Sequence, residues 1–482
     1  MRRVWRIAAE ELRLLARTRV AWLGLLALII LSAVAAATSA AHVGREQAIR
    51  AEQQAAADHA FEAQPDRHPH RVVHYGAYVH RPVSPLAAFE PGVDPFTGTT
   101  LFLEGHRQNS ATFGAMRESS GLIRFGQLTP AFVLQALAPL LLIFLGFSVV
   151  ARERATGVLR QLRVHGARPG EVLLGKSLAL GAVAAVALAP ALAALVIAAS
   201  SAPGEATAGA LIAAAFMIYL AIWVLMVVAV SALAGSSRGA LLGLIALWAV
   251  VVVLTPRAAS ALAAQAEPAP PRVETDLRIT REARTIGDSH NPDDPFFAAF
   301  RARTLAEYGV SRIEDLPVNY RGLVSAEGEA LTSRLFADYA RRTADQQRAQ
   351  SRWLAAGAIF SPALAVRKAA MAGAATDLEN HVRFLEQAEA HRFDLVQRLN
   401  RLHAEDVRPE DDAARSSDSE AEQRTRVAAE NWAGMPDFSF TPATPQARVA
   451  SMIPGLGVLA LWLAAAVGLL VLASRRLMGE SR

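Results

Sequence analysis

Long apolar runs alternate with polar stretches along this chain. Runs at 20–41, 128–151, 176–200, 208–234, 240–255 and 449–474 match or approach the roughly 20 apolar residues that carry a helix across a bilayer core about 30 Å thick. The pattern predicts a mostly α membrane protein with six transmembrane helices. The run at 240–255 is short, and Arg257 is expected to snorkel, or the bilayer to thin, at its end. Before the first run, residues 1–19 (MRRVWRIAAEELRLLARTR) set Val4, Trp5, Ala8, Leu12 and Leu15 on one helical face and Arg2, Arg6, Arg13 and Arg17 on the other. That is an amphipathic interfacial helix, with Trp5, Arg6 and Arg13 as anchors at headgroup depth. The first run is longer than a signal-peptide core and its leading segment is too long, so an uncleaved span is expected.

The intervening segments divide by charge. Residues 152–175 hold Arg152, Arg154, Arg160, Arg163 and Arg168, with Lys176 at the start of the next span, and the turn before the fifth span holds Arg238. Ser201–Thr207 has no Lys or Arg, and Arg475 and Arg476 follow the last span into the tail, 475–482. Positive charge concentrates on cytoplasmic loops. This gives both termini inside a multi-pass protein of a bacterial inner membrane, and two extracytoplasmic, largely helical domains at 42–127 and 256–448. In the second, Leu378, Val382, Leu385, Leu395, Leu399 and Leu402 recur at helical steps, whereas Val407–Arg426 is charged, lacks large apolar residues and reads as an exposed connection.

Composition sharpens this picture. There is no cysteine, so thiolate metal sites and disulfides are excluded. The net charge of +5 arises from arginines beside apolar runs, which favours membrane orientation over nucleic acid. Ionisable groups are absent from the interior of the spans, where an ion-coupled transporter needs them. Any energy source must then be a partner.

Two motifs invite chemistry. Gly170–Ser177, GEVLLGKS, fits the phosphate-loop pattern, but its middle residues are helical, Glu171 would repel phosphate, and a span follows at once. Lys176 is better read as an interface anchor. In the first external domain His68, His70 and His74 have the H-x-H-x-x-x-H spacing of imidazole metal ligands, alongside His59 and His80. The arginines interleaved with them disfavour a cation, so no metal site is expected, with these three residues the candidates if there is one. No catalytic motif of a zinc peptidase or serine hydrolase is present.

The stretch around 152–176 resembles the permease subunits of the second class of ABC exporters. In that family a span is followed by a coupling helix and then a Gly-Lys opening the next span. Here Glu153, Arg154, Gly157, Leu159 and Leu162 match the coupling helix, and Gly166, Pro169, Gly175 and Lys176 the turn and opening. The external stretches around 75–98, 361–392 and 435–442 are similar to a subgroup with large extracytoplasmic insertions, and more distantly the chain resembles the permease for nitrous oxide reductase maturation. The resemblance implies a non-catalytic membrane subunit without a cofactor of its own. ATP and Mg would be held by a cytoplasmic ABC ATPase, and a second permease copy or a related permease would complete a dimeric unit. Glu153 and the neighbouring arginines are then expected to meet the ATPase groove, with Gly157 permitting close approach. ATP hydrolysis would drive substrate export or movement of the external domains, which could engage a periplasmic protein. The alternative is a non-transporting membrane scaffold or receptor whose external domains bind.

Overall fold

In the computed structural model the described residues are 1–112, 127–288, 291 and 293–479; parts of both expected external domains and of the C-terminal tail lie outside them. Among the described residues, six helices are long and apolar enough to cross a membrane: TM1 (Arg19–Glu62), TM2 (Pro130–Ala155), TM3 (Pro169–Ser200), TM4 (Glu205–Leu233), TM5 (Ser237–Ala266) and TM6 (Pro445–Gly479). The interfacial helix (Arg2–Arg17) precedes them. TM4 is the central rod, with Phe216, Tyr219 and Trp223 fully enclosed by its neighbours.

TM1 is continuous for 44 residues, about 66 Å at 1.5 Å per residue and roughly twice the hydrocarbon thickness. Its apolar run ends near Ala41, but the Ala, Gln, Glu and Arg that follow are good helix formers, so nothing stops it. Its far end delivers Phe61 to the core of the polar part of the protein.

TM5 is longer than its apolar run because Pro256 does not end it. The proline follows a widened π-type turn at Ala249–Leu254, and Pro139 of TM2 follows a similar turn at Val133–Leu137. A proline inside a helix lacks an N–H and crowds the carbonyl four residues back; a wider turn relieves the crowding and frees carbonyls. Tyr219 Oη donates to the Gln135 carbonyl at 2.7 Å, Trp248 Nε1 to Ala136 at 3.0 Å, and Ser361 Oγ to Val251 at 2.6 Å. Side chains thus meet the demand that no backbone group go unsatisfied in lipid.

The two polar segments pack as one body. Phe61, Val72 and Val73 of the first share a core with Leu395, Leu399, Val407, Val427 and Trp432 of the second, and Val79, Leu101 and Leu103 share another with Phe384, Ala388 and Phe438. The first segment contributes the helix Pro69–Tyr75 and an antiparallel hairpin, β1 (Ala77–His80) with β2 (Thr100–Leu103). The second contributes the long helices Tyr320–Gly357 and Leu378–Asp406. The charged stretch after Val407 folds against them, because Asp412 is buried and ionically paired.

One element of the second polar segment belongs to the membrane bundle. The helix Pro362–Ala374 buries Ala365, Val366, Ala370 and Ala374 in the same core as TM4 and TM6. Its small side chains let helix backbones approach closely where hydrophobic driving force between helices is weak.

Candidate functional site

The segment between TM2 and TM3 is a short helical hairpin. TM2 ends at Ala155, Gly157 makes the turn with φ +78°, and a helix runs over Val158–Val164. Gly157 is needed for that left-handed backbone and not for close packing within the chain, since a Cβ there meets no atom within 4 Å.

Three ties fix the hairpin. Ser231 of TM4 accepts from the N–H groups of Val150 (3.1 Å) and Ala151 (3.3 Å). Arg154 donates to the carbonyls of Ala234 (2.7 Å) and Ala232, serving the acceptors left open at the end of TM4. Lys176, at the start of TM3, pairs with both Glu153 and Glu11 of the interfacial helix, all three buried.

Glu153 and Arg154, expected at the ATPase groove, are instead turned inward and engaged within the chain. Lys176, expected as an interface anchor, is a buried ion-pair centre. The lysine could charge-balance only one of its two carboxylates, and Glu153 Oε2 has no hydrogen-bond partner among the described residues. Leu159 is buried and Leu162 half-buried beneath the hairpin. Exposed instead are Arg152, Val158, Arg160, Gln161, Val164 and His165, with Val164 at 80% exposure.

The interfacial helix is docked. Val4, Ala8 and Glu11 form its buried stripe, with Ile7 half-buried beside them, while Trp5, Arg6 and Arg13 are exposed. Glu11 escaped notice because a carboxylate on an apolar stripe looks like a surface residue. Its position did carry a signal, lying on one helical face with Val4 and Ala8. Gly175 takes the approach of this helix, for a Cβ there would lie 2.8 Å from Ile7 Cβ and 3.0 Å from the Val4 carbonyl oxygen. Gly170–Ser177 is the opening of the TM3 helix, so the phosphate-loop pattern is not a loop.

The histidines form two groups. His68 and His403 bind Asp412 at 3.2 and 3.0 Å, with Asn319 at 3.1 Å and Arg415 at 3.1 Å completing its shell. Burial pushes the Asp412 carboxyl up, but the hydrogen bonds from His403, His68 and Asn319 outweigh it and hold the group well below the usual carboxylate range. His70 and His74 lie one turn apart and meet His106, which sequence reasoning missed because it comes from the loop beyond β2. Burial, then the neighbouring His74 and His106, push His70 down to about 3, so its ring is neutral at physiological pH. The expected trio of His68, His70 and His74 is therefore divided between two clusters.

Against this geometry stand two family matches. A model described as ABC-2 family transporter protein matches residues 5–304. The chain belongs to that family. A domain of unknown function, DUF3526, matches residues 272–441, the greater part of the second polar segment. No curated protein matches the chain. The permease is a transmembrane component of an ABC transporter, and membership implies an ABC ATPase partner. It also fits the hairpin's place between two spans.

Proposed function

We propose that this permease couples ATP hydrolysis by a separate cytoplasmic ATPase to movement of its polar body, with or without export of a substrate. In this reading the hairpin lies in the cytoplasm of a bacterial cell and the polar body outside the inner membrane. Two permease copies, or this chain and a related one, sit on two ATPase subunits that hold the ATP and Mg.

The observation that carries the reading is the double anchorage of TM4. At one end Ser231 and the carbonyls of Ala232 and Ala234 grip the hairpin. At the other, Glu205 pairs with Arg448 of TM6, which also donates to the Gly373 carbonyl of the docked helix Pro362–Ala374. Between them run 29 helical residues, about 44 Å. A rigid rod clamped at both ends transmits a shift of the hairpin to the external body, as packed helices pass on switching motions. A cavity of about 610 Å³ lined by Glu46, Arg50, Tyr78, His80 and Asp94, between TM1 and the first polar segment, offers a place for a departing substrate.

The test is purification of the tagged protein from native membranes in mild detergent, with mass spectrometry of what accompanies it. A stoichiometric ABC ATPase, lost on replacing Val158 and Val164 by Asp, supports the reading. Absence of any ATPase overturns it in favour of a membrane scaffold whose external body binds.

A further inference from the structure

We propose that His70, His74 and His106 form a binding site for one divalent transition-metal ion, zinc or copper, on the polar body. One nitrogen from each ring lies within 4.8 Å of the others. The Nε2 atoms of His70 and His74 are 3.1 Å apart. Two imidazole nitrogens bound at 2.0–2.1 Å to a tetrahedral ion stand about 3.3 Å apart. The His70 and His74 nitrogens thus already stand near ligating separation, with a nitrogen of His106 within 4.8 Å of both.

Each residue is positioned by something other than the ion. Pro69 opens the helix Pro69–Tyr75 and the His68 ring caps it, accepting the His70 N–H at 3.1 Å, so His70 and His74 project one turn apart from a fixed helix. His106 holds φ +64°, an unusual backbone for a residue with a side chain. Its N–H donates to the buried carboxylate of Glu329 at 2.9 Å, and its Nδ1 lies 3.5 Å from the same oxygen. A carboxylate behind one ring nitrogen is the usual device for aiming the other at a metal.

The other histidine cluster provides the contrast. Asp412 is enclosed by His68, His403, Asn319 and Arg415, and an arginine 3.1 Å from the carboxylate repels a cation. That group is a hydrogen-bonded brace. At the proposed site the His70 Nδ1 is buried without a hydrogen-bond partner among the described residues. The interleaved arginines are also drawn off, Arg71 to Glu422 at 3.0 Å and Arg67 to Gln64 at 3.2 Å. His74 is exposed and the other two half-buried, which gives the ion an entry path and leaves a coordination position for water. A site of imidazoles alone selects zinc or copper over magnesium or calcium.

The test uses the full-length protein in mild detergent, carrying a streptavidin-binding tag because a polyhistidine tag would itself bind metal. After chelator treatment, zinc chloride and copper sulfate are titrated by calorimetry. The expected result is one ion per chain and a raised melting temperature, since a ligand of the native state stabilises it. H74A and H106A should each weaken binding by about tenfold or more, and H59A should leave it unchanged. Because His74 is exposed, H74A tests the site even if H106A fails to fold. X-ray absorption of the loaded protein should show imidazole nitrogen. No binding, binding indifferent to H74A, or a shell without imidazole overturns the proposal.

Discussion

Arg448 and Glu205 form a bidentate ion pair, Nη1 to Oε1 at 2.7 Å and Nη2 to Oε2 at 2.6 Å, joining the start of TM6 to the start of TM4. Arg448 is 3% exposed and also donates through Nε to the Gly373 carbonyl at 3.0 Å. Removing one partner of such a buried pair strands the other and costs about 3–5 kcal/mol. E205Q should therefore lower the melting temperature of the detergent-solubilised protein substantially. The exchange E205R/R448E should not restore it, because the carboxylate it puts on TM6 has no N–H to donate to Gly373. Full rescue by the exchange would show that only the charge pair matters and that the docked helix is not held by this arginine.

The Lys176 centre makes a different prediction, because two carboxylates share one ammonium. K176M leaves Glu11 and Glu153 buried together without a cation, and should be destabilising by about 3–5 kcal/mol. The triple variant E11Q/K176M/E153Q removes every charge and should recover most of the lost stability. Limited proteolysis between the interfacial helix and TM1 would report undocking in K176M. Equal losses in single and triple variants would mean that the loss does not come from the stranded carboxylates.

Much of this architecture was legible because membrane spans are written in composition. Apolar length alone predicts six helices. What the sequence hid was pairing at a distance. Glu153 and Arg154 read as surface charges because nothing local reveals Glu11 or the carbonyls of Ala232 and Ala234 as partners. The helix Pro362–Ala374 read as part of a polar domain since Arg367 and Lys368 interrupt its alanines, though its remaining small residues are those that helix–helix contacts in membranes use. His106 stayed invisible because it joins His70 and His74 only through the fold of the hairpin β1–β2. The two polar segments looked like two domains because their shared cores draw on residues more than three hundred positions apart, such as Val72 and Leu399.

The hairpin separates a structural from an interface prediction. Gly157 has φ +78°, where a Cβ costs roughly 1–2 kcal/mol, so G157A should reduce stability by about that amount. Val164 is 80% exposed, and V164D should change stability by no more than about 0.5 kcal/mol. If the ATPase docks on the exposed face, V164D should abolish co-purification of the ATPase while G157A retains it in part. An ATPase bound equally well by V164D would place its contact elsewhere.

The polar body should lose stability in acid through its buried histidines. His381, on the helix Leu378–Asp406, is buried; desolvation first, then the charge of Arg81, push it down to about 4. In the unfolded chain a histidine takes its proton near pH 6.5. Between those values the unfolded state binds more protons, so stability falls as pH falls, by up to roughly 1.4 kcal/mol per pH unit for this one group. His68 and His391 are also depressed, chiefly by burial, and add in the same direction. Asp412 adds nothing until the pH nears the ordinary aspartate value, below which the unfolded state takes up its proton first. Denaturation midpoints measured from pH 7 to pH 4.5 should therefore decline, and H381Q, which cannot titrate, should flatten the decline by about one proton. An unchanged slope in H381Q would mean that His381 is protonated in the folded chain, and that the acid sensitivity arises from the other buried histidines.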